Sequence, residues 1–359
     1  MKRKNANAVK IVGETTQESH SLAINFLPEI VYVPTTPGKQ GGLFDLDGAP
    51  IPAAVYHRGD QVTFSSIDES IDISALPTIK NGSTHFFIGD INPHYGHFLL
   101  ESTVRLWPLL HWPTGFSGKF LYLGPPAVVE KKAFIRQVFE THALDSKDFV
   151  AYPAPCKIKN VFIPAPSFEI RLRAHRLFSD TLRHSGERLA GDLEKINNTN
   201  LTPLYLSRAK LAVGISCIIN ETAIEDALRQ AGVDILYPET LSLADQIREL
   251  ASRKYLISQV GSALHTLLFC PGGKTIAAVS LIGELISSNY ILIDLLCGND
   301  SHYLASTDLL IGKADSTITE GRNFSRKYYA HRPEFVAERL LAALQEPLSS
   351  DLPDAAAKS

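Results

Sequence analysis

The chain has 359 residues, 45% of them hydrophobic and 20% charged, with a formal net charge of −3. That length suffices for two domains with full cores, and the near-neutral balance excludes a global basic field for nucleic acid. The scattered Cys156, Cys217, Cys270 and Cys297 form no metal-ligand spacing and no disulfide framework, so reduced structural thiols in a cytoplasmic protein are expected.

The basic start Met1-Lys2-Arg3-Lys4 runs into Asn5-Ala6-Asn7 with no apolar segment behind it, which argues against a signal peptide. Residues 1 to about 80 are rich in Pro, Gly and Thr and are expected to form an irregular lead-in with short strands near 30–33 and 61–64. From Thr84 the rhythm changes. Strands are predicted over 84–89, 119–124, 149–152 and 160–163, and helices over 97–107 and 128–139. Such alternation argues for βαβ units and a parallel sheet.

The polar, Asn-rich segment 192–203 reads as an inter-domain link. A second alternating series follows, with a strand through Tyr205-Leu206 that has Ser207-Arg208 at its mouth and strands over 233–237 and 255–260. Asn220-Glu221 opens a helix that Gly232 closes, and Ser242-Leu243-Ala244-Asp245 resembles a capping box. The most apolar region, 255–297, is broken by Gln259, His265, Lys274, Glu284 and Asp294, so no membrane span is expected and only peripheral membrane association stays open. The expected division is 1–195, 196–345 and a disordered tail over 346–359. Two βαβ halves facing a cleft would suit an enzyme that joins two substrates.

Two groups of residues carry chemistry. His97, Glu101 and Arg105 fall on one stripe at i, i+4 and i+8 of the first helix, with Leu99, Thr103, Leu106 and Leu110 opposite. Facing a cleft, the imidazole or carboxylate would serve as a general base toward an acceptor hydroxyl. On a solvated face, Glu101 and Arg105 would form an ordinary ion pair. Asn92 and His94 lie just ahead of the stripe. A metal site built on His94, His97 and His111 is the weaker reading, because carboxylate ligands are lacking.

In the second half, Arg208 and Lys210 follow a strand end, where guanidinium pairs well with phosphate oxygens or with a surface carboxylate. Gly261-Ser262-Ala263 opens a helix whose free N–H groups suit an anion, although glycines also open many such turns for steric reasons. Glu239 ends the previous strand, where it would accept from a ribose or base, or simply complement a helix N-terminus. Asn220, Glu221 and Gln246 have capping readings, and His265 suits a core position. No Gly-x-Gly-x-x-Gly follows a predicted strand, which disfavours a dinucleotide-binding dehydrogenase.

The ordered set resembles the family 61 glycosyltransferases. It comprises His97-Phe98-Leu99-Leu100-Glu101, Ser207-Arg208, Asn220-Glu221, Pro238-Glu239-Thr240-Leu241-Ser242 with Gln246, and Gly261-Ser262-Ala263 leading to Phe269. The resemblance spans roughly 92–273. It implies an α/β, GT-B-like architecture of two Rossmann-like βαβ domains facing a central cleft. It also implies sugar transfer with inversion from a nucleotide-sugar, without an obligatory metal or other cofactor, to a glycan or polysaccharide acceptor.

By that resemblance Glu101 is the base with His97 orienting it, and Asn92, His94 and Arg105 meet the acceptor. Arg208, Lys210, Asn220, Glu221, Glu239, Gln246, Gly261, Ser262, Ala263 and His265 hold the donor. The chain departs from the family pattern at Val260, where a histidine is usual, and in the Ser216-Cys217-Ile218-Ile219 run, where a basic residue is usual. Alternatives are a polysaccharide-modifying transferase, such as one moving pyruvyl groups, and a non-catalytic glycan-assembly protein.

Overall fold

The structure, a computed structural model, describes residues 9–36, 38–59, 61–63, 67–80, 82–112, 118–125, 127–315 and 322–346. The basic residues 2–4 and nearly all of the expected tail 346–359 lie outside the described residues. The chain divides into two compact units, Glu14–Leu189 and Met1–Gly13 with Ala190–Ser359. Both are mixed α/β.

The Glu14–Leu189 unit is built on a six-stranded sheet ordered Gly42–Phe44, Ile24–Val33, Cys156–Pro164, Thr84–Asp90, Gly118–Leu123 and Phe149–Val150. The last four pair in parallel, as the strand-helix alternation predicts. The lead-in is more regular than its composition suggests. Ile24–Val33 is a ten-residue strand that runs antiparallel to Cys156–Pro164, placing Tyr32 opposite Cys156 and Ile24 opposite Pro164. Its Ile30 and Tyr32 join Phe87, Leu121, Ile158, Val161 and Ile163 in one core cluster, so apolar burial holds a segment that turn-prone neighbours made look irregular. Phe86, Phe98, Phe120 and Phe139 are also fully buried.

The first predicted helix departs from expectation. One turn, Tyr95–His97, passes into a π-helical stretch, Phe98–Ser102, and the chain then tightens into a 3-10 turn over Trp107–Leu110. Thr103 Oγ1 donates to the Leu99 carbonyl, and Pro108 follows Trp107; both work against a regular helix through this span. The helix expected over 128–139 is interrupted at Lys132, which is extended, giving Val128–Lys131 and Ala133–Glu140.

The other unit carries a five-stranded, fully parallel sheet ordered Asp234–Leu236, Leu204–Leu206, Tyr255–Gln259, Thr275–Ser280 and Asp300–Ala305. Numbered along the chain, that order is 2-1-3-4-5. Glu221–Gln230, Leu243–Ser252 and Ser288–Cys297 are the helices of the alternating series, and Pro333–Ala343 packs against Glu221–Gln230. Gly232 closes its helix with φ of +82°, and the Ser242 hydroxyl accepts from the Asp245 N–H, both as predicted. Val213–Ile218 is a strand that was not foreseen, and it pairs in parallel with Asn323–Ala330 in a separate three-stranded sheet.

The segment 192–203 is tied to the sheet by a buried lysine. The ammonium of Lys274, 1% exposed, donates to Asn197 Oδ1 at 2.8 Å, Asn198 Oδ1 at 2.8 Å and the Ala251 carbonyl at 2.7 Å. That network pins the asparagines to the sheet. All four cysteines are buried and free. No helix among the described residues is long and apolar enough to cross a membrane.

Candidate functional site

In the parallel sheet the strand order reverses between the first and third strands, Leu204–Leu206 and Tyr255–Gln259, which lie side by side. Ligands of open α/β sheets sit outside the carboxyl ends at such a switch point. Arg208 follows one of these ends and Gly261 the other. A Cβ on Gly261 would lie 3.5 Å from one terminal nitrogen of Arg208, and a Cβ on Gly214 would lie 3.3 Å from the other. The guanidinium therefore nests between two glycines. A Cβ at Gly214 would also come within 2.6 Å of the Phe324 ring, so the close approach requires glycine there.

No hydrogen bond or ion pair engages the Arg208 guanidinium among the described residues, whereas its backbone is firmly held. The Arg208 N–H donates to Glu221 Oε1 at 2.9 Å, and the Tyr205 hydroxyl donates to the same oxygen at 2.8 Å. Arg322 Nη1 donates to the carbonyls of Arg208 and Ala209 at 3.3 and 3.2 Å. Ser207 Oγ donates to buried Glu225, which also accepts from Arg229 and Tyr237. Glu221 is 1% exposed, and burial raises its pKa against the pull of the Arg208 N–H and the Tyr205 hydroxyl. The glutamate thus positions Arg208 from below. A fixed guanidinium with open donor capacity can grip phosphate oxygens.

Gly261 starts the turn of 3-10 helix Ser262–Phe269 from an extended conformation. Its first hydrogen bond runs from Leu264 N–H to the Gly261 carbonyl, which leaves the Ser262 and Ala263 N–H groups, next along the chain from Gly261, as donors for an anion. His265, 7% exposed, has its ring 5.3 Å from that of Tyr290, whose pKa burial pushes up to about 12 against the pull of Arg208.

Other expected donor residues are placed differently. The Asn220 amide is engaged by Ala330, donating to its carbonyl and accepting from its N–H, each at 2.9 Å. Lys210 lies over the Tyr237 ring at 3.8 Å. Gln246 donates to the Leu241 carbonyl at 3.3 Å, and Glu239 is exposed on the turn Pro238–Thr240. No hydrogen bond or ion pair among the described residues joins Glu239 or Gln246 to Arg208.

The Glu14–Leu189 unit assembles the remaining candidates around Glu101. Its Oε1 accepts from His97 Nδ1 at 2.9 Å and from Arg58 Nη2 at 2.7 Å, and the side chain is 7% exposed. The imidazole rings of His94 and His97 are 5.2 Å apart. Burial first, and then His97, lowers the pKa of His94, with Glu101 acting in the opposite sense. Asn92 Oδ1 accepts from the His94 N–H at 2.9 Å.

The Glu101–Arg105 ion pair of the solvated-face reading does not form. Arg105 is 3% exposed, donates to the carbonyls of Pro164 and Val55, and lies over the Phe87 ring. Burial pushes its pKa down to about 10. The cation that does pair with Glu101, Arg58, comes from the lead-in, beyond reach of any helical periodicity. A cavity of about 220 Å³ beside it is lined by Arg58, Asp90, Asn92, Glu101 and Arg105, among others. Among the described residues no group of three His, Cys, Asp or Glu side chains is disposed to hold a metal ion.

Arg58, Gly214, Tyr290 and Arg322 escaped the sequence reading. Gly214 alone left a trace, as a glycine inside a β-branched run. No curated protein matches the chain closely enough to serve as a relative. The family model for glycosyltransferase 61 matches residues 95–277, just over half the chain, and takes in Glu101, Arg208 and Gly261 together. The protein therefore belongs to the glycosyltransferase 61 family.

Proposed function

We propose that the protein transfers a sugar, with inversion and without a catalytic metal, from a nucleotide-sugar to a hydroxyl of a glycan or polysaccharide, within a GT-B arrangement. The observation that carries this reading is the Arg208 guanidinium beside the Gly261 helix start at the switch point of a parallel sheet. A departing nucleoside diphosphate needs positive charge where its own charge develops, and a fixed guanidinium with two free N–H groups supplies it. The acceptor hydroxyl needs a base, and Glu101, oriented by His97 and Arg58, fits that role.

In the transfer step the acceptor oxygen bonds to the anomeric carbon while the bond from that carbon to the phosphate oxygen breaks. The leaving diphosphate keeps the bonding electron pair, and the acceptor proton passes to Glu101. Val260, in place of the family's usual histidine, leaves Arg208 and the Ser262 and Ala263 amides as the donor contacts, with His265 one turn further on.

The test is a transfer assay over a panel of UDP-, GDP-, CMP- and dTDP-sugars, with the product anomer read by NMR. The expected result is turnover of one nucleotide class, an inverted product and a fall of about 10²–10⁴-fold in Glu101→Gln. A retained anomeric configuration, or equal turnover in wild type and Glu101→Gln, contradicts the proposal.

A further inference from the structure

The cavity beside Glu101 has a second carboxylate on its wall, that of Asp90. Asp90 is the last residue of the strand Thr84–Asp90, whose register with Gly118–Leu123 shifts between Phe87 and Gly89. Gly89 sits at that irregularity with φ of +96°. A break of this kind re-aims the side chains beyond it, and such breaks gather beside active sites. Across the pair of strands, Gly124 has φ of +124°, and a Cβ there would lie 2.9 Å from Asp90 Oδ1. Gly124 therefore leaves room for this carboxylate, and Gly89 lets the chain turn just ahead of it.

No described residue donates a hydrogen bond to the Asp90 side chain. Glu101, by contrast, has Arg58 and His97 on one oxygen, and Arg105 is committed to backbone carbonyls. Asp90 is thus the cavity's surplus acceptor. Burial and the neighbouring Glu101 raise its pKa to about 6, against the pull of Arg58. The cavity is smaller than the roughly 300–1,000 Å³ of drug-sized pockets, which suits a single ring.

We propose that Asp90 is a specificity residue for the acceptor, and that the cavity takes one neutral, hydroxyl-bearing sugar ring. Asp90 accepts from a ring hydroxyl while Glu101 meets the hydroxyl that reacts. Arg58 and Arg105 also line the cavity, but Arg58 is paired with Glu101 and Arg105 with backbone carbonyls. A uronate or phosphate-bearing ring placed against Asp90 would therefore meet a carboxylate that no described guanidinium bonds, and an unfavourable charge of that kind is a common basis of specificity. The inference rests on the transferase reading above, but it concerns binding in one unit and is tested without donor.

The experiment is saturation-transfer NMR on the full chain with the methyl glycosides of glucose, galactose and xylose, and with methyl glucuronide. Wild type, Asp90→Asn and Asp90→Leu are compared, with near-UV circular dichroism and UDP or GDP binding as checks on folding. At least one neutral glycoside should receive saturation from the wild type, and methyl glucuronide should receive none. Asp90→Leu should weaken binding by about tenfold or more, while Asp90→Asn, which still offers a carbonyl oxygen, should retain most of it.

Equal binding in Asp90→Leu and wild type, preference for the glucuronide, or no binding of any neutral glycoside by wild type would overturn the proposal. Loss of nucleotide binding by wild type with sugar binding intact would count against the transferase reading instead, and would leave Asp90 its role in the cavity.

Discussion

Arg208 is placed through its backbone, by a carboxylate that is itself buried. Glu221 Oε1 takes both the Arg208 N–H and the Tyr205 hydroxyl. Replacing Glu221 by Gln keeps an acceptor oxygen there, so nucleotide affinity should hold within about threefold. Replacing it by Leu strands two buried donors, which should cost on the order of 2–4 kcal/mol of stability and loosen the guanidinium. Thermal melts together with nucleotide titrations of the two variants separate these outcomes. Affinity unchanged in a folded Glu221→Leu would show that Arg208 does not depend on this anchor. The sequence exposed Arg208, Glu101 and Gly261 because each lies in a short local motif. It hid Arg58 and Arg322, whose partners lie far away in the chain and depend on tertiary packing alone.

Among the elements, Thr84–Asp90, Gly118–Leu123 and Tyr255–Gln259 were legible because burial imposes apolar runs, whereas Gly42–Phe44, Thr275–Ser280 and Asp300–Ala305 were not foreseen. The span 97–107, expected as one helix, also departs from expectation. Its stripe predicted His97 and Glu101 on one face, and they do meet at 2.9 Å, but Arg105 turns inward after the π-helical stretch. The segment 192–203, read as a polar inter-domain link, also supplies two asparagines to a buried lysine. Lys274→Met removes three charge-assisted hydrogen bonds, so it should cost about 3 kcal/mol, seen as a lower melting temperature.

Helix Ser288–Cys297 and strand Asp300–Ala305 carry a pH-dependent pair. Asp294, 8% exposed, accepts from the Tyr303 hydroxyl at 2.6 Å, and burial raises its pKa from 3.8 to about 7. The folded chain thus keeps a proton that the unfolded chain releases above pH 3.8, and stability falls as pH rises through the window from about 4 to 7. Asp294→Asn should flatten that slope, gaining on the order of 1–4 kcal/mol over wild type between the two ends. Parallel melting curves for wild type and Asp294→Asn across this window would contradict the assignment.

For the molecule as a whole, the proposed function depends on where one sheet reverses its strand order. The 2-1-3-4-5 arrangement brings the ends of two adjacent strands together, and with them Arg208 and Gly261. The alternating pattern foretold a parallel sheet, and the motif order pointed to the family. The strand order itself was not readable, since long-range pairing leaves no local signature. Calorimetric titration of UDP and GDP into wild type and Arg208→Gln, with phosphoenolpyruvate as the competing ligand, reports directly on that site. One nucleoside diphosphate should bind wild type, and bind Arg208→Gln about 10–100-fold more weakly, the range expected for lost charge-assisted contacts. Binding that is indifferent to Arg208, or binding of phosphoenolpyruvate with neither nucleotide, would contradict a diphosphate-gripping site at this switch point.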